Sequence, residues 1–346
     1  MSPPSVPLAK ALATLAAGQS LGEALTADVF DVVMRGDATP AQVGALLLGL
    51  RVKGETAEEV AGAARALRAA MVPVDAAGHH VIDTCGTGGG SVTTFNISTG
   101  AALVAAGAGA AVAKHGNRSF TSRCGSADVL EALGVAINLD GPTAARVLRQ
   151  ARITFLFAPN FHPAMRHVAA VRRELGVPSL MNLLGPLANP AGVRRQVVGV
   201  ADAGRAPLVA GALARLGTDH ALVVHGRVGM DEISPCGPSD VWEVRDGAVT
   251  RWEVDPAAHE LAVEDPGSLR GAGPKENATR LEGLLAPESD DRPGRAALLL
   301  NAGAAIYVAG LAPSYATGIA RAREALRSGA AAAALAGLRR AASTSG

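Results

Sequence analysis

The sequence predicts an α/β protein: a small all-helical N-terminal unit joined to a large domain whose mostly parallel central sheet is flanked by helices. Two observations carry this. Through about residue 73, apolar residues recur at helical spacing between clear capping signals; from Val74 onward, short apolar strands alternate with Gly-ended turns and helices. The expected division is therefore 1–73 for the helical unit and 74–346 for the α/β domain. A chain of 346 residues is long enough for both.

The helical unit is read from its punctuation. Thr39-Pro40 places a capping side chain before a proline suited to the first helical position. Gly54 ends that helix, and Thr56-x-x-Glu59 is a capping box opening the next. Residues 41–50 and 60–71 carry the apolar spacing. Nothing here suggests chemistry, so the expected role is packing, within the chain or between subunits.

Expected strands span 81–85, 111–114, 153–157, 197–201 and 221–225, while 241–254 reads as a structural hairpin about Asp246-Gly247. Residues 341–346 read as a frayed tail. Ligands of such sheets bind beyond the carboxyl ends of the strands, so the chemistry should follow the strands.

Composition narrows the function. Basic and acidic residues number 32 and 31, a net charge of +1, which argues against a general binder of nucleic acid or membrane surface. The Ala-rich runs at 101–113 and 330–334 are too short or too interrupted to span a bilayer, and residues 1–10 lack a secretory pattern. Cys85, Cys124 and Cys236 are odd in number and widely spaced, which fits neither a disulfide framework nor a zinc site and suggests a reducing cytoplasm. Aromatics make up only 3% of the chain, so helices are expected to pack by close backbone approach.

Five segments could carry chemistry. Gly86-Thr-Gly-Gly-Gly90 directly follows a strand, and its glycines let backbone N–H groups approach an anion. It lacks the spacings of a P-loop or a dinucleotide fingerprint, and by itself it serves equally as a tight strand-to-helix turn. It leads into Asn96-Ile-Ser-Thr99 at a helix start, where these side chains are caps or phosphate ligands. Lys114-His-Gly-Asn-Arg118, Ser119-Phe-Thr-Ser122 and Gly125-Ser126 add cations and hydroxyls at the next strand end. Asp231-Glu232 is a surface pair or, beside a phosphate site, a Mg²⁺ site. His162 and Arg172 complete the set; Arg172 is a carboxylate grip or a salt-bridge partner of Glu174. The role of residues 182–190 stays open.

Taken in order, Gly86-Thr-Gly-Gly, Thr94-Phe-Asn-Ile-Ser-Thr99, Lys114-His-Gly-Asn-Arg-Ser119, Gly125-Ser-Ala-Asp128, Asn182-Leu-Leu-Gly-Pro-Leu-Ala-Asn-Pro190, Asp231-Glu232, Glu276-Asn-Ala278 and Leu300-Asn-Ala-Gly303 resemble the anthranilate phosphoribosyltransferases of tryptophan biosynthesis across nearly the whole chain. The resemblance implies a helical domain completed by helices near 165–190, a nucleoside phosphorylase/phosphoribosyltransferase-like α/β domain, and a cytoplasmic homodimer contacting through the helical parts. It implies 5-phosphoribosyl 1-diphosphate and anthranilate as substrates, Mg²⁺ as cofactor, and no nucleic acid or membrane partner. Contacts to the diphosphate sugar fall on Gly86, Gly89, Gly90, Thr94, Asn96, Ile97, Ser98, Thr99, Lys114, His115, Gly116, Asn117, Arg118, Ser119, Ser122 and Ser126. Metal ligands fall on Ser98, Asp231 and Glu232; anthranilate contacts fall on Asn117 and Arg172, with His115 and His162 as neighbours. Lys114, Asn117 and Arg172 take the catalytic roles. Two rivals are weighed: a nucleic-acid-binding relative, opposed by the charge balance, and a pyrimidine nucleoside phosphorylase, opposed by the missing Lys-His-Ser-Thr stretch.

Four departures stand out: Gly90 where the family has Asp, Ser91 where Gly is usual, Val228 at a commonly acidic position, and Met181 at a commonly aromatic one. Gly90 removes a carboxylate beside the expected diphosphate and leaves Asp231 and Glu232 carrying more of the metal binding. The expected outcome is that Gly90→Asp shifts the Mg²⁺ dependence of activity, measured beside Gly90→Ala. Identical Mg²⁺ titrations of the native chain and Gly90→Asp would overturn this.

Overall fold

The computed structural model describes residues 5–76, 78–119 and 123–343. The chain opens with α1 (Val6–Ala16), α2 (Gly22–Arg35), α3 (Pro40–Lys53) and α4 (Ala57–Ala69). Both expected capping boxes form: Thr39 accepts from the Gln42 amide and Thr56 from the Glu59 amide, with Pro40 opening α3. Then follow β1 (Val81–Gly86), α5 (Ile97–Gly107), β2 (Ala111–Gly116), α6 (Ser126–Ala132), α7 (Gly141–Ala151), β3 (Ile153–Phe157), α8 (Ala158–Phe161), α9 (Arg166–Leu175) and α10 (Met181–Leu184). The rest comprises β4 (Arg195–Gly199), α11 (Ala206–Arg215), β5 (His220–Gly226), β6 (Ser239–Arg245), β7 (Ala248–Val254), α12 (Pro274–Leu285), α13 (Arg292–Val308), α14 (Tyr315–Arg327) and α15 (Ala330–Ser343).

Among the described residues the sheet has seven strands, ordered β3-β2-β1-β4-β5-β6-β7. The first five run parallel; β6 and β7 are antiparallel additions. Asp246 and Gly247 both have positive φ, +49° and +79°, as a type I′ hairpin turn requires. The chain leaves β1 toward β2 and β3, then returns to β4 on β1's other side. The switch point therefore lies between β1 and β4, where a ligand crevice is expected.

Burial of both sheet faces explains the uninterrupted apolar strands. Leu222 and Val224 point into a cluster with α5–α7 and α12–α15; Ala221 and Val223 point into another with α1–α4, α9, α10 and α11. The second cluster takes Val168, Val171, Leu180 and Met181 alongside Phe30, Leu46 and Val60. Helix packing is by close backbone approach. A Cβ on Gly107 would lie 2.7 Å from the Ala331 amide nitrogen, and one on Gly318 would lie 2.3 Å from the Gly303 carbonyl oxygen.

Three sequence readings are corrected. The strand expected at 197–201 sits two residues earlier, at 195–199, with Val200 N–H making a last bond to the Val224 carbonyl. The helix expected from Gly100 begins at Ile97, one turn nearer the glycine loop. The tail read as frayed from 341 is instead helical through Ser343, with Ala341 and Ala342 buried against the core. Among the described residues no helix is long and apolar enough to cross a membrane, and no cysteine forms a disulfide.

Candidate active site

At the β1/β4 switch point the glycine loop meets the chain leaving β5. Two hydrogen bonds join them: Gly88 N–H donates to Asp231 Oδ2 (2.8 Å) and Ser91 N–H to the Gly229 carbonyl (3.0 Å), while Thr87 N–H donates to the Gly199 carbonyl (2.8 Å) and ties the loop to the end of β4. Gly88 and Gly89 turn the loop with φ of +68° and +82°, conformations a side chain disfavours. The approach is close: a Cβ on Gly199 would fall 1.5 Å from the Asp231 carbonyl oxygen, and one on Gly86 would fall 2.4 Å from Asp231 Oδ2. At Gly90 a Cβ would lie 2.8 Å from the Gly229 carbonyl oxygen, so any side chain there must displace the loop.

Asp231 and Glu232 are half-buried side by side. Burial raises the Asp231 carboxyl pKa and, with Asp231 beside it, raises Glu232 well above the usual range. Thr94 Oγ1 donates to Glu232 Oε1 at 3.3 Å. Their backbone is held from below by Asn301, whose side chain accepts from Ile233 N–H at 3.0 Å and donates to the Ile233 carbonyl at 2.8 Å. Thr84, Ser98, Asp231 and Glu232 together line a cavity of about 10 Å³, room for roughly one water-sized species. Among the described residues no three His, Cys, Asp or Glu side chains converge on one point. A pair of oxygen ligands beside a hydroxyl suits Mg²⁺, which keeps most of its waters and shares substrate phosphates, better than an ion that needs a full protein cage.

Lys114 is 3% exposed, and its ammonium donates to the Thr84 carbonyl (2.6 Å) and Ser98 Oγ (3.3 Å). Burial lowers its pKa, opposed by Asp83, Cys85 and Glu232. Thr84 Oγ1 in turn donates to the Ser98 carbonyl, tying β1 to the first turn of α5. Thr99 Oγ1 is buried without a partner among the described residues. Asn96 precedes α5 but does not cap it: its side chain donates to the Cys124 carbonyl and accepts from Asn277 Nδ2 (3.0 Å).

Because strand side chains alternate, His115 points away from Lys114, toward the helical cluster. Its ring lies 5.0 Å from that of His162. Burial, with His162 adding to it, pushes the His115 pKa to about 3, and burial pushes His162 to about 4, so both rings are neutral at pH 7. Among the described residues, His115 Nε2 and both His162 ring nitrogens have no partner in hydrogen-bonding geometry. On α9, half-buried Arg172 has no ion-pair partner among the described residues, and burial lowers its pKa; the Glu174 salt bridge does not form.

Not every expected residue converges. The Asn117 carbonyl accepts from Ala127 N–H and Ser126 Oγ, closing the turn on which Gly116 and Ser119 sit. The Arg118 guanidinium is held outside it by Asp128 (2.8 Å) and Glu131 (2.6 Å). Ser122 lies outside the described residues. Sequence reasoning misses the supporting roles of Asp83, Asn189, Asn277 and Asn301; Asp83 and Asn301 show as a polar residue inside an otherwise apolar run, whereas Asn189 and Asn277 show only within the motifs that carry the family resemblance.

Comparison with known proteins fits this arrangement. Residues 9–71 match the helical bundle domain model of a glycosyl transferase family, and residues 78–332 match its a/b domain model. The anthranilate phosphoribosyltransferase of Rubrobacter xylanophilus is 50% identical over 95% of this chain and 95% of its own. Among solved structures, the anthranilate phosphoribosyltransferase from Thermus thermophilus superposes with a TM-score of 0.90 at 42% identity, covering 96% of this chain and 98% of its own. The Saccharomyces cerevisiae enzyme, in complex with PRPP and Mg, gives 0.88 at 30% identity over 98% and 99%.

The buried imidazoles set a pH dependence. An unfolded histidine titrates near 6.5, the folded His115 near 3, so below pH 6.5 the unfolded chain binds the extra proton. The stabilisation is complete above 6.5 and lost as pH falls toward 3, by about 2 kcal/mol at pH 5. Urea midpoints at pH 7 and pH 5 should therefore fall further in the native chain than in His115→Gln.

Proposed function

Because the chain belongs to the anthranilate phosphoribosyltransferase family, we propose that this cleft is where it transfers the 5-phosphoribosyl group of 5-phosphoribosyl 1-diphosphate to the amine of anthranilate, releasing diphosphate in tryptophan biosynthesis. The observation that carries this reading is the pairing of a glycine-loop amide with Asp231 beside Glu232 and a buried lysine. It supplies donors, a cation and metal-type oxygens at one strand edge. Mg²⁺ is the cofactor; when bound it neutralises diphosphate charge as a Lewis acid, and Ser98, Asp231 and Glu232 would hold it.

The aryl amine is neutral at pH 7, so its attack needs no strong base. The barrier lies in breaking the anomeric C–O bond to a polyanionic leaving group. In this reading the chain contributes charge and alignment. Lys114 places its ammonium where negative charge develops, anchored there by donating to the Thr84 carbonyl. Amides and hydroxyls of Gly86, Gly89, Gly90, Thr94, Asn96, Ile97, Ser98 and Thr99 hold the diphosphate sugar. So do the turn residues Gly116, Asn117 and Ser119, Ser126 at the start of α6, Ser122, and Arg118 once released from its acidic partners. Arg172 grips the anthranilate carboxylate, and Asn117 orients the ring. His115 and His162, both uncharged, give an acceptor slot into which a neutral amine passes without repulsion.

The same reading extends to assembly. The boundary falls near residue 73, with helices of 165–190 completing the helical unit; these helices share with α1–α4 an apolar cluster that one face of the sheet and α11 also enter. A homodimer through that unit is supported by Val6 and Val52, 82% and 79% exposed on α1 and α3. A reducing cytoplasm is in keeping with three thiols and no disulfide among the described residues.

Loss of anthranilate fluorescence that needs protein, 5-phosphoribosyl 1-diphosphate and Mg²⁺ together is the expected result; no loss, with the diphosphate sugar still binding by calorimetry, would overturn the acceptor assignment. Arg172→Ala should raise the anthranilate KM by roughly 10-fold or more, the worth of a charged hydrogen bond, and an unchanged KM would refute its role.

A further inference from the structure

The β1–β2 pairing stops early. β1 stays hydrogen-bonded to β4 through Gly86, and β2 to β3 through Gly116, but β1 and β2 pair only at Val81–Ala111 and Ile82–Val112. Beyond these the two central strands part. The gap opens directly beneath the loops that carry the glycine run and the Lys114–Asn117 turn.

Parting strands would leave backbone groups orphaned inside the protein, which native folds avoid. Side chains take up the freed groups here. Asp83 Oδ1 accepts from the His115 amide (3.2 Å), and Asn189 Nδ2 donates both to Asp83 Oδ2 (2.7 Å) and to the Ala113 carbonyl (2.8 Å). Asn189 Oδ1 then accepts from Ala191 N–H at 2.9 Å. On the opposite face the Lys114 ammonium fills the Thr84 carbonyl (2.6 Å). Asp83 is 0% exposed and Asn189 3%, so neither can touch a substrate, and a buried carboxylate is costly unless it has a task.

Resting on the proposed transfer reaction, we infer that Asp83 and Asn189 are positioning residues: together they form a buried spacer that sets the separation between the two strand ends on which the diphosphate sugar and the acceptor are held. Asn189 comes from the turn after α10, so the spacer also ties that turn to both strands. The segment 182–190, whose role stayed open in the sequence, thereby acquires one. Misplacing reacting groups by about 1 Å costs roughly 100-fold in rate, the scale expected when the spacer fails.

The test is steady-state kinetics of Asp83→Asn, Asn189→Asp and the double exchange Asp83→Asn/Asn189→Asp, followed by anthranilate fluorescence. Each single variant presents two like groups to each other, two carboxamides or two carboxylates. The expected result is a kcat lowered roughly 100-fold, with the KM of each substrate within about threefold of native. The double exchange again pairs one carboxylate with one carboxamide, but a carboxylate at 189 cannot donate to the Ala113 carbonyl, so the expected recovery over either single is partial. Lost packing alone would not be repaired by the exchange. Where a single variant fails to fold, Asn189→Ser, which adds no charge, should show the same fall in kcat with KM held. Single variants at native kcat overturn the inference while native activity keeps the transfer reaction standing. A native chain that consumes no anthranilate overturns both.

Discussion

Everything at this site depends on how closely the chain leaving β5 approaches the end of β1. The Asp231 main chain occupies the space a side chain on Gly199 would fill, and its carboxylate occupies that of a side chain on Gly86. Only this proximity lets the Gly88 amide reach Asp231 and brings Glu232 within range of Thr94. The glycines of the loop are thus explained twice. Gly88 and Gly89 turn the chain, whereas Gly86 and Gly199 make room for an acid. The second duty cannot be inferred from loop geometry alone.

Putting two carboxylates and a lysine into that confined space is electrostatically unfavourable. For the buried Lys114 the desolvation cost is roughly several kcal/mol, and the half-buried acids bear a smaller one. The pKa directions carry this signature, upward for both acids and downward for Lys114, each led by burial. A site so strained by its own charge is matched to a ligand that brings both a polyanion and a divalent cation, since each relieves one half of the imbalance. Arg172 repeats the logic on the acceptor side: a half-buried guanidinium with no carboxylate of its own among the described residues is matched to an anion from outside.

Local signals made much of the fold legible. Thr56-x-x-Glu59 and Asp246-Gly247 each encode their structure within a few residues, and each stands where expected. The site was legible where a whole cluster lay in one segment, as with Lys114 and His115 or Asp231 and Glu232. It was not legible where function depends on pairs far apart in sequence. Asn301 clamps Ile233 across 68 positions, and Asn189 reaches Asp83 across 106. No periodicity announces such pairs. Arg118 shows the reverse limit, because its basic character suggested a ligand while Asp128 and Glu131, ten and thirteen positions onward, already hold it.

The alternation of side chains along a strand then organises the chemistry. On β1, Thr84 faces α5 and Asp83 faces the helical cluster; on β2, Lys114 and His115 divide in the same way. Consequently the groups suited to phosphate and metal collect on one face, with Ser98, and the uncharged imidazoles collect on the other, with Asn189. On the proposed reading, two adjacent residues on each of two strands thus suffice to separate a polyanion subsite from an aromatic-acid subsite. The reacting atoms must meet where both strands end, just above the gap between them. The width of that gap is a property of backbone that no ladder bond fixes, so side chains must fix it. This is why a carboxylate is worth burying at a position that no ligand can reach.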